Sequence, residues 1–292
     1  FTYPGSTTPA LQDVSFTLEP GQKLGLAGPV GSGKSTLLSL LLRFYDPPRG
    51  TVFVDEHDVL DLSPRTLRDL FALAPQEPFL FSDTVAANVG FAADEPPAFD
   101  LEAAVAAAAL DQDLPQLHLG LQTVVGERGV GRGRGVGASV ARGGVDRLGR
   151  VDARGREEQR SHPPRDPHPR TIRDGRGVTL SGGQRQRVSL APALHSDRPG
   201  LMLDHTLSAV ATLPERRILL GLQRQRRGRT LLVASHRLSV LEDSDRILVL
   251  DGGRVRETGT HAELMRQDGL YAQAFRRQDE AAALESEPGA AP

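Results

Sequence analysis

Cysteine is absent from this chain, which excludes a disulfide scaffold, a cysteine-ligated zinc site and a thiol nucleophile. Lysine is nearly absent as well. It occurs only at Lys23 and Lys34, so 33 of the 35 basic residues are arginine. Long apolar runs are missing: the best, Leu37–Leu42, is broken by Ser39 and stopped by Arg43, well short of the roughly 18 residues a membrane helix needs. The first residue is Phe1 rather than methionine, and no charged stretch followed by an apolar one comes after it. No signal peptide is read there, and the chain is expected to be a segment of something longer.

What is present is uneven. The net charge over 292 residues is only −2, yet Gly131–Arg176 holds 12 arginines against 6 acidic residues, which leaves 6 excess positive charges there and −8 on the other 246 residues. That stretch also has nine glycines, clusters Pro163, Pro164, Pro167 and Pro169, and shows almost no apolar periodicity. Its composition predicts a disordered insert that buries too little apolar surface to offset its ordering entropy. Gly-Arg pairs recur without interleaved aromatics, so no nucleic-acid partner is expected.

Outside the insert, strand and helix signals alternate. Lys23–Ala27 reads as a strand running into a glycine-rich turn, and Ser35–Phe44 as a buried helix. Thr51–Val54 and Leu70–Ala74 read as strands, with a helix opening at Ser63-Pro64 between them. Asp100 caps an alanine-rich helix to Leu110. Leu201–Leu203 and Thr230–Ala234 are strands, and Arg246–Leu250 and Val255–Glu257 flank a hairpin turn at Asp251-Gly252-Gly253. Thr260-His261-Ala262-Glu263 is a capping box opening a helix to about Arg277. Such alternation predicts an α/β domain with a largely parallel sheet.

Gly28-Pro-Val-Gly-Ser-Gly33-Lys34-Ser35 fits G-x-x-x-x-G-K-[ST] and lies between a strand and a helix, where a phosphate loop belongs. Its glycines let backbone N–H groups turn toward phosphate oxygens at a helix start that already favours anions. Lys34 is suited to reach the terminal phosphates and the Ser35 hydroxyl to ligate Mg²⁺. Leu180-Ser181-Gly182-Gly183-Gln184 makes a second glycine-bearing helix start, which by itself reads equally as a flexible cap.

With both motifs in one chain, the sequence resembles the ATP-binding-cassette family, the nucleotide-binding domain of ABC transporters. Tyr3-Pro-Gly resembles the aromatic loop that stacks on adenine, and Gln76 the glutamine that senses Mg²⁺ and faces the transmembrane partner. Leu201–Asp204 resembles the strand that delivers a carboxylate to Mg²⁺, and Ser235-His236-Arg237 the loop whose histidine contacts the γ-phosphate. The likeness implies a P-loop NTPase fold of ABC type: a mainly parallel core, an antiparallel β subdomain and an α-helical subdomain over about 77–196. The domain is expected over 1–278, interrupted by 131–176 and followed by a flexible tail at 279–292.

The implied ATP contacts are Tyr3, Gly28, Val30, Gly31, Ser32, Gly33, Lys34, Ser35, Thr36 and Gln76. Ser35, Gln76 and Asp204 are the implied Mg²⁺ ligands. Ser181, Gly182, Gly183 and Gln184 would complete a partner's site, because family members work as head-to-tail dimers.

Three positions depart from the family pattern. His205 stands where a water-polarising glutamate is usual, leaving His236 and the degenerate position His205 as the candidate catalytic groups. Ser208-Ala209-Val210 is followed by Ala211 instead of aspartate, and Pro192 lies inside the signature helix, where proline removes a backbone bond. The sequence therefore reads as an ATPase-type subunit of an ABC exporter. It resembles the degenerate half of a heterodimer, held at the cytoplasmic face of the plasma membrane by a transmembrane domain. An ATP-binding regulatory module and a damaged gene product are the alternatives.

Overall fold

The computed structural model describes residues 1–91, 100–126, 180–206, 217–222 and 228–286. The expected insert at 131–176 and the Ser208–Ala211 run lie outside the described residues.

The frame is a six-stranded sheet. Its strands are β1 (Lys23–Ala27), β4 (Phe71–Ala74), β7 (Gly200–Asp204), β8 (Thr230–Ala234), β9 (Arg246–Asp251) and β10 (Arg254–Gly259), in the order β10-β9-β1-β8-β7-β4. Every neighbouring pair is parallel except the β9–β10 hairpin. The other antiparallel pairs are two residues per strand: β2 (Phe53–Val54) with β3 (His57–Asp58), and β5 (Asp83–Thr84) with β6 (Val124–Val125).

Alternation along the buried strands assigns side chains to two layers. Leu24, Leu26, Met202, Leu232 and Leu248 pack with Leu37, Leu38 and Leu40 of α1 (Lys34–Leu41). Leu201, Leu203, Leu231, Val233, Ile247 and Val249 face the opposite layer. That layer holds α3 (Val85–Val89), α4 (Leu101–Ala107) and α5 (Gly182–His195), with part of the C-terminal helices. Ser63, Thr84 and Asp100 each cap a helix by accepting a backbone N–H, at α2 (Pro64–Asp69), α3 and α4 respectively. Residues 217–222 form α6.

Several boundaries differ from the sequence expectation. The first helix stops at Leu41 rather than Phe44, because Arg43 adopts a left-handed backbone with φ 49°. The Thr51–Val54 strand shrinks to Phe53–Val54. The helix expected from Thr260 to Arg277 is two helices, α7 (His261–Gln267) and α8 (Leu270–Ser286), separated at Asp268 with φ 54°. The tail expected to be flexible from 279 is helical to Ser286.

Candidate functional site

Parallel register brings the candidate residues to one edge. β1, β8 and β7 are neighbours and end at Ala27, Ala234 and Asp204. Asp204 pairs with Ala234, so the residues just beyond the two strands emerge side by side. Loops at the carboxyl ends of parallel strands are where α/β sheets place their ligands.

The loop from Gly28 to Gly33 wraps this edge. Gly28, Gly31 and Gly33 have φ of 140°, 78° and 105°, conformations that side chains resist. Space is equally restrictive at two of them. A Cβ on Gly28 would lie 2.0 Å from the Leu250 carbonyl oxygen, and one on Gly33 would lie 2.6 Å from Leu11. Val30 stands out at the tip, 86% exposed. Gly33 caps α1 with no side-chain hydrogen bond, so the first N–H groups of that helix have no side-chain cap.

Lys34 is buried and folded back on its own loop. Its Nζ donates to the Gly28 and Pro29 carbonyls at 2.8 Å each, and to Ser32 Oγ at 3.3 Å. Burial lowers its pKa to about 8, with the Asp204 carboxylate opposing the shift. Ser35 Oγ donates to Asp204 Oδ1 at 2.9 Å. Asp204 is held above the usual carboxylate range by burial, against the Ser35 hydrogen bond and the charges of Lys34 and His236. The donor set therefore fits a magnesium ion: a hydroxyl and a carboxylate, both hard oxygens, converge where added positive charge would be welcome.

His205 leaves β7 at φ 50°, and its N–H donates to the Ala234 carbonyl at 2.8 Å. Its ring is buried, stacked on His236 with centroids 3.9 Å apart, and its Nε2 is 3.8 Å from Asp204 Oδ1. Burial, the neighbouring His236 and Lys34 push the His205 pKa down to about 4. The His236 pKa is lowered by the same burial and by Lys34.

Tyr3 sits beside the loop helix. Its hydroxyl donates to Thr36 Oγ1 at 2.9 Å, and its ring packs edgewise against Phe1 and Tyr45 at 5.1 and 4.9 Å. Gln76 is exposed just past the end of β4, beside β7 in the sheet.

Ser181 to Gln184 lie apart from this cluster, at the start of α5. Ser181 Oγ accepts the Gln184 N–H, and Gln184 Oε1 accepts the Ser181 N–H, a closed capping box. Gln184 Nε2 also donates to Asp113 Oδ1 at 3.2 Å. Arg187, one turn on, holds Asp113 Oδ2 through Nε at 3.0 Å and Nη2 at 2.5 Å, with both side chains buried. This ion pair had no sequence signal; Asp113 and Arg187 are 74 positions apart.

A groove of about 260 Å³ opens between the end of β4, α3 and α5. Phe79, Phe81 and Phe91 line it, 54%, 40% and 65% exposed, with Phe81 5.0 Å from Phe79 and 4.3 Å from Phe91. Pro192 faces the same groove. It lies inside α5, and its carbonyl accepts the Ser196 N–H that ends the helix.

The ABC transporter family profile matches residues 11–208. An ATP-dependent lipid A-core flippase of Alkalilimnicola ehrlichii is 39% identical over 279 residues, covering 95% of this chain and 39% of the flippase. The flippase of Vibrio cholerae is 38% identical over 95% of this chain and 40% of its own length. The chain thus spans about two fifths of the curated relatives it matches. Among solved structures, a bacterial Atm1-family ABC exporter with ATP bound superposes with a TM-score of 0.72 and 33% identity, over 92% of this chain and 39% of that one.

Proposed function

Since the chain belongs to the ABC transporter family, we propose that it is the ATP-binding and ATP-hydrolysing domain of an exporter, coupling nucleotide-driven closure to a transmembrane domain. The observation that carries this reading is the convergence of Lys34, Ser35, Asp204 and His236 on one sheet edge, beneath a loop in which Gly28 and Gly33 have no room for a side chain. In this reading the ATP phosphates lie along Gly28–Thr36, Tyr3 meets the adenine, and His236 meets the γ-phosphate. Ser35, Asp204 and Gln76 hold Mg²⁺, which supplies charge neutralisation at the phosphates. The domain runs over 1–278.

The Phe79–Phe81–Phe91 groove is the proposed docking face for the transmembrane domain, because contiguous exposed aromatics mark interaction surfaces. The membrane domain holds the chain at the cytoplasmic face of the plasma membrane. Among the described residues no helix is long and apolar enough to cross a membrane. The relatives' names make a lipid the first cargo to test, and they do not favour a stand-alone regulatory module.

A second proposal follows from His205. A base with a pKa near 4 is a weak proton acceptor at neutral pH, and its ring carries no negative charge to orient water. The chain's own site should hold ATP and turn it over slowly, while Ser181–Gln184 serves a partner's site. A heterodimer suits that division.

Two experiments test these readings. In a fluorescent-nucleotide titration with Mg²⁺, Lys34→Ala should lose binding; unchanged affinity removes the site assignment. In single-turnover assays the chain alone should hydrolyse little ATP, and His205→Glu should raise the rate. With a partner that carries its own glutamate, Ser181→Arg should remove most turnover. Rapid hydrolysis by the isolated wild-type chain would make His205 a working base and end the degenerate-half proposal.

A further inference from the structure

The turn that presents His236 is held both by its own Ser235 and from outside. Ser235 N–H reaches the Leu26 carbonyl on β1, and Ser235 Oγ accepts the Arg237 N–H at 3.0 Å and donates to the Arg237 carbonyl. Two backbone groups on the C-terminal side of the histidine, its own carbonyl and the Leu238 N–H, are bonded from elsewhere. The His236 carbonyl accepts from Gln278 Nε2 at 2.7 Å, and the Leu238 N–H donates to Gln278 Oε1 at 2.9 Å. One side-chain amide joins the peptide groups before and after Arg237.

The helix carrying that amide is fixed independently. Glu257 of β10 accepts the Leu270 and Tyr271 N–H groups at 2.5 and 3.0 Å, anchoring the first turn of α8. Tyr271 is buried, and its hydroxyl meets His261 Nδ1 at 2.9 Å. Phe275 packs on His261 at 4.9 Å. Residues 271, 275 and 278 are spaced i, i+4, i+7, so they share one face of the helix. The anchored face therefore delivers Gln278 to the turn, although the residue as a whole is exposed.

We infer that Gln278 is a positioning residue for His236, so that the C-terminal helix sets how the histidine meets the terminal phosphate of the nucleotide. The inference rests on the proposed γ-phosphate contact of His236. Gln278 acts through the backbone that follows the histidine, by way of the His236 carbonyl and the Leu238 N–H.

The test measures ATP and ADP affinities of the full chain by fluorescent-nucleotide titration with Mg²⁺, for wild type, Gln278→Ala, His236→Ala and the double variant. Thermal melts check folding, and an exposed position should leave them little changed. Loss of a pair of hydrogen bonds predicts a roughly three- to tenfold weaker ATP affinity in Gln278→Ala with ADP unaffected. His236→Ala should behave likewise, and Gln278→Ala should add nothing in its background. Equal weakening of ATP and ADP, or a Gln278→Ala effect that persists without the histidine, overturns the inference. If His236→Ala leaves the ATP-to-ADP ratio untouched, the phosphate contact itself is wrong and the inference falls with it. If His236→Ala shifts the ratio and Gln278→Ala does not, the inference alone falls.

Discussion

Two helices in this molecule begin at glycines, and they begin in opposite ways. α1 starts at Gly33 with no side-chain cap, and a buried lysine lies in its first turn. α5 starts at Ser181 with a reciprocal capping box, and it is tied through Gln184 and Arg187 to a buried aspartate. The first end has no side-chain cap and holds one buried lysine beside Asp204. The second is satisfied by its own side chains and held rigidly on the helical layer. A helix start that needs an anion suits a site meant to be filled. One that is already capped suits a surface meant to be presented.

Breaking the closed end should be the most damaging to the fold. Arg187→Ala leaves Asp113 buried without its charge partner, and urea unfolding should show a loss of about 3–5 kcal/mol. Replacing both members by apolar residues of similar size should recover much of that loss. Breaking the open end should spare the fold and remove the ligand. Lys34→Ala should weaken ATP by on the order of 2–5 kcal/mol in titration, with a small change in thermal midpoint.

Acid should act on the open end first. His205 is neutral in the folded chain down to a pKa of about 4 but titrates near its ordinary 6.5 when unfolded. Between those values the unfolded state binds more protons, so its stabilising contribution is full above 6.5 and is lost as pH falls toward 4. The loss should be on the order of 2 kcal/mol. Thermal midpoints across that window should fall with pH, and His205→Gln should flatten the slope. The smallest effect is expected at the capping box. Ser181→Ala should cost about 1 kcal/mol, read from denaturant unfolding.

Much of this arrangement was legible in the sequence. Gly28–Ser35 has a local signature, glycines at fixed spacing between a strand and a helix, whereas Asp204 and His236 are singled out by their resemblance to the family's motifs. Parallel register then brings their strands together, which the alternation of strands and helices had implied. The expectations that missed concern tertiary partners and local backbone choices. The break between α7 and α8 turns on Asp268 adopting φ 54°, a conformation its residue type permits without demanding. The stacking of His205 on His236 depends on strand pairing and on His205 leaving β7 at a positive φ. Asp113 with Arg187, and Gln278 with the His236 turn, join residues 74 and 42 positions apart, beyond the reach of any local pattern.

The scarcity of lysine has a practical consequence. Lys23 and Lys34 are both about 3% exposed, and Lys23 is engaged with Asp243 and the Val240 carbonyl. No surface lysine exists for acetylation or ubiquitin attachment, because the other basic residues counted with lysine are arginines. Burial lowers the Lys34 pKa to about 8, so a sizeable fraction of its amine is neutral at mildly alkaline pH. With the α-amino group blocked, labelling of Lys34 by a small amine-directed reagent would report on the phosphate loop, slowed whenever the nucleotide is bound.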